Sequence, residues 1–244
     1  MTTPGGRRHR RAPVCVMVSM VGMVAALIAG CATRPTEPGA AVPRPLTEHE
    51  ADRLAVARFG NYRAGGLHFT ATVTNASGPL SLAGDLDTHA HVGYAAAEFT
   101  EAGRSTVAVL RWTPESVSSW LDAGDGRTAP PVLPAGPPRQ RALAPTSSTL
   151  DAVLRLLLAL SSDRPENAVL LRQSDARWLH QEQLGGTVAD VLQGPSAGSG
   201  ASDLRYWVTP DARLLRVEAG FVGAKAVIDL DPAGFVPIPR ANGS

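Results

Sequence analysis

Two short patterns in this sequence bring chemistry-bearing side chains close together. Asp85, Asp87, His89 and His91 alternate along the chain. On one continuous strand all four would share a face, and an H-x-H pair on a strand can ligate zinc. However, Asp87-Thr88-His89-Ala90 reads as a turn between strands, which splits the set. The sequence places no third ligand, so solvated turn residues are the better reading and no metal is expected. Gly194-Pro195-Ser196-Ala197-Gly198 matches the G-x-S-x-G of a hydrolase elbow, which needs a strand before it and a helix after it. Ser199-Gly200-Ala201-Ser202 follows instead and starts a helix poorly, so a flexible hairpin loop is expected. His49, His68 and His180 are scattered singly and receive no catalytic role. There is no phosphate loop, dinucleotide fingerprint or zincin motif. The chain therefore reads as a non-enzyme without cofactors.

A third candidate is a thiol. Cys31 follows Leu27-Ile28-Ala29-Gly30, at the end of an uncharged run. Arg7, Arg8, Arg10 and Arg11 precede that run, and no acidic residue comes before Cys31. A positive start, a short apolar core and small residues at the cut define a secretory signal. The layout resembles a bacterial lipoprotein signal peptide with its lipobox. The resemblance implies cleavage between Gly30 and Cys31, and lipid on the Cys31 sulfur. An uncleaved membrane helix is the competing reading, because Ala12 to Thr33 gives 22 uncharged residues, just enough to span a bilayer. Ala29 and Gly30 directly before the cysteine favour cleavage. The arginines lack a hydrophobic partner at the place a twin-arginine signal needs, so ordinary secretion is expected.

Composition agrees with that address. Cys15 and Cys31 are the two cysteines. The first leaves with the signal and the second is blocked by lipid, so the mature chain has no thiol or disulfide in an oxidising compartment. Removing the four leader arginines turns 23 basic and 22 acidic residues into 19 against 22, a net of −3. Nucleic-acid binding needs clustered positive charge, so no nucleic-acid partner is expected. Electrostatic docking on anionic lipid is disfavoured too. Membrane attachment is then expected through Cys31; the lipoprotein resemblance implies two acyl chains there, which anchor firmly where one would not. Lys225 is the only lysine, against 22 arginines. With the excess of Ala, Gly and Pro, this bias points to a high-GC, actinobacterial genome. A mature chain of 214 residues can bury about 70% of its unfolded surface, enough for one domain without staples.

These candidates need elements to hold them. Residues 31–45, with Pro35, Pro38, Pro43 and Pro45, read as a semi-flexible tether behind the lipid. Thr47-Glu48-His49-Glu50 is a capping box that opens a helix with Ala51, Leu54, Ala55 and Phe59 on its apolar stripe. Leu67 to Thr74 and Leu80 to Leu86 alternate with a period of two, and Val92–Phe99 and Thr106–Trp112 follow as further strands. Residues 122–145 read as a long loop, since six prolines forbid regular structure there. A loop of that length is usually functional. From Leu150 to Leu160 a helix carries apolar side chains over roughly 200°, twice the ordinary arc. Asp151 and Arg155 are left for water as an i,i+4 pair. That helix must be wrapped on two sides or border an apolar cavity. Residues 177–230 return to strands. Trp112, Trp120, Trp178 and Trp207 read as core or rim residues, although in a lipid carrier they would line the cavity mouth.

The order helix, strands, helix, strands gives an α+β fold. Seven or eight antiparallel strands would form a single curved sheet, a half-barrel, with helices packed on its concave face. The lipobox, the proline-rich tether, Leu46-Thr47-Glu48-His49-Glu50-Ala51 and the pair Leu204–Asp211 and Leu214–Glu218 resemble actinobacterial lipoproteins of the LppX/LprG kind. Those are similar to LolA/LolB carriers. The resemblance implies an α+β domain over 46–235 after the signal (1–30) and tether, with an irregular tail at 236–244. It also implies an apolar cavity that binds or transfers lipid or lipoglycan, on a membrane-anchored protein at the extracytoplasmic face. The alternative is a non-catalytic interaction or accessory module with a filled core, its protein partner unknown. The 122–145 loop is a candidate partner patch for that module.

Overall fold

The computed structural model describes residues 41–76, 78–101, 103–196 and 204–240, all within one compact unit. Gly30, Cys31, the signal segment, tether residues 31–40, the Ala197-Gly198 end of the G-x-S-x-G pattern and the last four residues lie outside the described residues. Among the described residues, no helix is long and apolar enough to cross a membrane.

The sheet is a single open antiparallel one. Its strands are β1 (Arg44–Pro45), β2 (Gly66–Asn75), β3 (Leu80–Asp87), β4 (Val92–Glu101), β5 (Arg104–Trp112), β6 (Ser116–Leu121), β7 (Arg139–Ala142), β8 (Arg177–Leu184), β9 (Thr187–Gln193), β10 (Arg205–Val208), β11 (Leu214–Phe221) and β12 (Ala224–Asp231). In space they run β1-β8-β9-β10-β11-β12-β2-β3-β4-β5-β6-β7. Three helices complete the body: α1 (Glu48–Ala64), α2 (Thr149–Leu158) and α3 (Ala168–Gln173).

One face of the sheet carries the core. Leu67, Phe69, Ala71 and Val73 of β2 meet Leu86, Leu82 and Leu80 of β3 and Leu230, Ile228 and Ala226 of β12. The same buried cluster runs from Leu192 of β9 to Val117 of β6 and includes Val153, Leu154 and Leu157 of α2. From β9 to β6 there are eight strand steps, about 38 Å if flat. A continuous core of that breadth requires the sheet to curl around the helices, the half-barrel expected from the sequence. Two bonds pin the layers: Trp112 Nε1 donates to the Leu154 carbonyl at 3.1 Å, and Asn61 Nδ2 donates to the Leu160 carbonyl at 2.8 Å.

Twelve strands, rather than seven or eight, correct the expected count. The strands not foreseen, β1, β6 and β7, sit at or next to the two edges. Arg44–Pro45, assigned to the tether, pairs with β8, which a proline can do at a sheet edge where no ladder N–H is needed. Arg139–Ala142 lies in the segment read as a structureless loop, yet it pairs with β6. Pro138 and Pro145 bracket it but none falls inside, so its backbone is free to extend. The short helix α3, which was also not foreseen, starts at Asn167, whose side chain accepts from the N–H of Val169 and of Leu170.

Val153, Leu154, Leu157 and Leu158 of α2 are buried, while Leu150 in its first turn and Leu156 stay half-buried. Asp151 is not solvated and does not pair with Arg155. It is fully buried, and Arg141 on β7 grips it with two bonds of 2.5 and 2.6 Å. The Ala144 N–H adds a third at 2.8 Å. Arg155 stays exposed. This first-turn aspartate has a cation closer in space than in sequence, which a helical spacing rule cannot register.

Candidate functional site

The interior between helices and sheet is filled where α2 crosses it. Trp112, Leu154, Leu157 and Leu160 are each less than 2% exposed. Phe69 and Trp112 meet edge to face, with ring centres 6.2 Å apart. Gly93 lies under the Trp112 ring so closely that a Cβ there would overlap its Cζ2 and Cε2.

One end of the sheet carries an open surface cleft, lined by polar and apolar groups in nearly equal parts. This cleft of 470 Å³ lies between the first turn of α2 and the β2–β3, β4 and β11–β12 strand ends. Leu80, Phe99 and Leu150 line it, and all three belong to or pack on the core cluster. Val222, fully exposed at the β11–β12 tip, forms its lip. Ser148 and Thr149 supply hydroxyls at the helix start. The volume is within the range of about 300–1,000 Å³ usual for small-molecule sites. None of the four tryptophans lines this cleft. Trp112 is core, as read. Trp207 is buried on the opposite face, where its Nε1 donates to Glu182 at 2.9 Å. Trp120 Nε1 donates to the Gly136 carbonyl at 3.1 Å. Trp178 lies under the Arg44 guanidinium, 4.4 Å from the ring centre, and its Nε1 donates to Asp190 at 2.9 Å.

Arg44 also binds the helix-opening carboxylate. Its two terminal nitrogens donate to Glu50 at 2.8 and 2.7 Å, while Glu50 completes the expected capping box with Thr47. Burial alone would raise the Glu50 carboxyl. The Arg44 bonds and the Thr47 N–H outweigh it and hold the group at about 2. The chain leaving the tether is thus clamped to the body before the first helix begins.

A second cleft, also 470 Å³, lies on the outer face of the sheet. The proline-rich segment 122–138 crosses that face as a strap. Gly126, at φ 74°, settles against Val107, and the Tyr94 hydroxyl donates to the Val132 carbonyl at 3.2 Å. Tyr94 is buried under the strap, and that burial pushes its hydroxyl up to about 12. The strap and the segment 234–239 form the walls, and His68, Thr70, Ala83 and Asp85 form the floor. The His68 ring meets Asp85 at 3.2 Å. Sequence inspection left His68 single. Its partner lies 17 residues away, and only the β2–β3 register places the two opposite each other.

The other candidates are separated. Asp85 lies on β3, and Asp87 closes the following turn by accepting from the N–H of His89 and of Ala90. His89 packs edge-on against Tyr62, and His91 takes a left-handed backbone at φ 51°. The turn therefore splits the set, as its sequence indicated. Among the described residues, no group of three or more His, Cys, Asp or Glu is placed to hold a metal. Ser196 is exposed, and its N–H donates to Asp175 at 2.9 Å.

No family model matches the chain, and no curated protein matches it. Among solved structures it is similar to LprF from Mycobacterium bovis, at 16% identity over 80% of this chain and 98% of that one, with a TM-score of 0.46. It is also similar to LppX from Mycobacterium tuberculosis, at 12% identity over 72% and 93%, with a TM-score of 0.39. An uncharacterized conserved protein from Thermus thermophilus gives 14% identity over 72% and 82%, with a TM-score of 0.37. The second of these is a mycobacterial lipoprotein.

Proposed function

We propose that this chain is a non-catalytic lipoprotein of the cell envelope, anchored through lipid on Cys31, that takes lipid acyl chains into the end cleft beside α2. The observation that carries this reading is the lining of that cleft. Leu80, Phe99 and Leu150 face both the cleft and the core, so an acyl chain entering there would leave water for a surface continuous with the interior. Ser148 and Thr149 at the rim would meet a polar head group. Lipid transport and a lipoglycan cargo belong to the same proposal. A dansyl-labelled fatty acid tests it. Its emission should shift to the blue and brighten with the protein, and unlabelled fatty acid should reverse the change. An emission unchanged by the protein would reject acyl binding. For the anchor, the full chain should incorporate labelled palmitate in a bacterial host and Cys31→Ser should not.

The filled interior supports a second reading, an accessory module that binds a protein partner. Trp112, Leu154 and Leu157 leave no space between α2 and β5, so deep entry requires these side chains to move. A partner retained by the full chain and lost when the 122–138 strap is deleted would support that reading.

A further inference from the structure

The outer-face cleft is a built site with a defined hydrogen-bonding demand. Asp85 Oδ1 meets His68 Nδ1 at 3.2 Å and accepts from the Val236 N–H at 3.0 Å. A carboxylate only accepts, so the shared proton sits on Nδ1. In the neutral ring this leaves His68 Nε2 as an acceptor. No described residue donates to Nε2 or to Asp85 Oδ2. The Asp85 side chain is 10% exposed, and its second oxygen opens into the cleft. The floor therefore offers an acceptor at Asp85 Oδ2 and, with a neutral ring, a neighbouring one at His68 Nε2.

The walls ask for something else. Pro130 and Pro131 come from the strap, Pro237 and Pro239 from the C-terminal segment, with Tyr94 and Val236 between them. Prolines bring no N–H and present C–H surface. Both walls are fastened: the strap by the Tyr94–Val132 bond, the C-terminal segment by Val236 on Asp85. Arg127 and Thr128 are exposed at the rim.

We propose that this cleft binds a neutral sugar ring. Such a ring carries adjacent hydroxyls, one to donate to Asp85 Oδ2 and one to His68 Nε2. Its C–H faces suit the proline walls. An anion would meet two acceptors on the floor. A cation would meet Asp85 Oδ2 as the one carboxylate oxygen on the floor, with Arg127 at the entrance. This site is on the opposite side of the sheet from the acyl cleft and does not depend on it.

The test uses the full-length chain, purified in detergent and applied to an array of neutral, anionic and amine-bearing glycans. Neutral glycans should be retained. Calorimetry with the most strongly retained one should give an affinity that falls about tenfold or more in Asp85→Asn, the scale of one hydrogen bond to a charged group. Thr70→Trp should abolish binding without changing the melting temperature, because Thr70 is exposed on the cleft floor and packs in no core. Three results would each overturn the proposal. They are an array with no retention, binding indifferent to Thr70→Trp, and selective retention of anionic glycans that Arg127→Ala removes.

Discussion

Arg141 on β7 and Asp151 in the first turn of α2 form a two-pronged ion pair at 2.5 and 2.6 Å, with the carboxylate fully buried and the arginine half exposed. The pair ties the last strand of the sheet to the helix that fills the interior. Burial alone would raise the Asp151 carboxyl, but the Arg141 bonds and the Ala144 N–H hold it below the usual carboxylate range.

Removing Arg141 strands that charge. Arg141→Ala should cost about 3 kcal/mol in urea unfolding, the scale for breaking a buried pair from one side. Asp151→Asn in the Arg141→Ala background should recover part of the loss, because the orphaned charge is gone. Equal stability of Arg141→Ala and the parent chain would show that the pair does not hold α2.

The Glu50 clamp makes stability depend on pH. Its folded value of about 2 is below the ordinary 4.5, so the folded state favours the charged form. The contribution is complete above about pH 4.5 and disappears as pH falls toward 2. Melting temperatures measured from pH 7 to pH 2.5 should fall through that window. Arg44→Ala should flatten the part of the fall that Glu50 supplies, and an unchanged slope would contradict the clamp.

Gly93 should tolerate no side chain. A Cβ there meets the Trp112 ring, which lies fully buried beneath α2. Gly93→Ala should cost about 1–3 kcal/mol by overpacking. Trp112→Ala should cost about 3–5 kcal/mol and open a cavity beside Leu154. Enhanced fatty-acid binding by Trp112→Ala would indicate that the tryptophan limits how deep an acyl chain can enter.

The parts of this fold that repeat along the chain are legible in the sequence. The alternation at Leu67–Val73 and Leu80–Leu86 gives both the strands and the face each side chain takes. Thr47 and Glu50 mark the start of α1 at the residue where it begins. What escapes is what depends on distance in space. Each residue of Arg139–Ala142 is at least partly open to solvent and the segment has no apolar alternation, so only its backbone pairing makes it a strand. His68 and Asp85 meet through register alone. The broad apolar arc of α2 is the same whether a helix is wrapped or borders a cavity. The end cleft lies at the helix start because the β2–β3, β4 and β11–β12 strand ends meet Ser148–Leu150 there, a juxtaposition set by the sheet order.

The most direct test of acyl binding is native mass spectrometry of the full-length chain released from detergent, beside Leu150→Trp. Leu150 is half-buried at the end cleft, where an indole would occupy the space an acyl chain needs. The account predicts a bound lipid mass on the parent chain beyond any covalent anchor, lost on denaturation and absent or much reduced in Leu150→Trp. A parent chain that carries no added mass, even after incubation with membrane lipid extract, would contradict it.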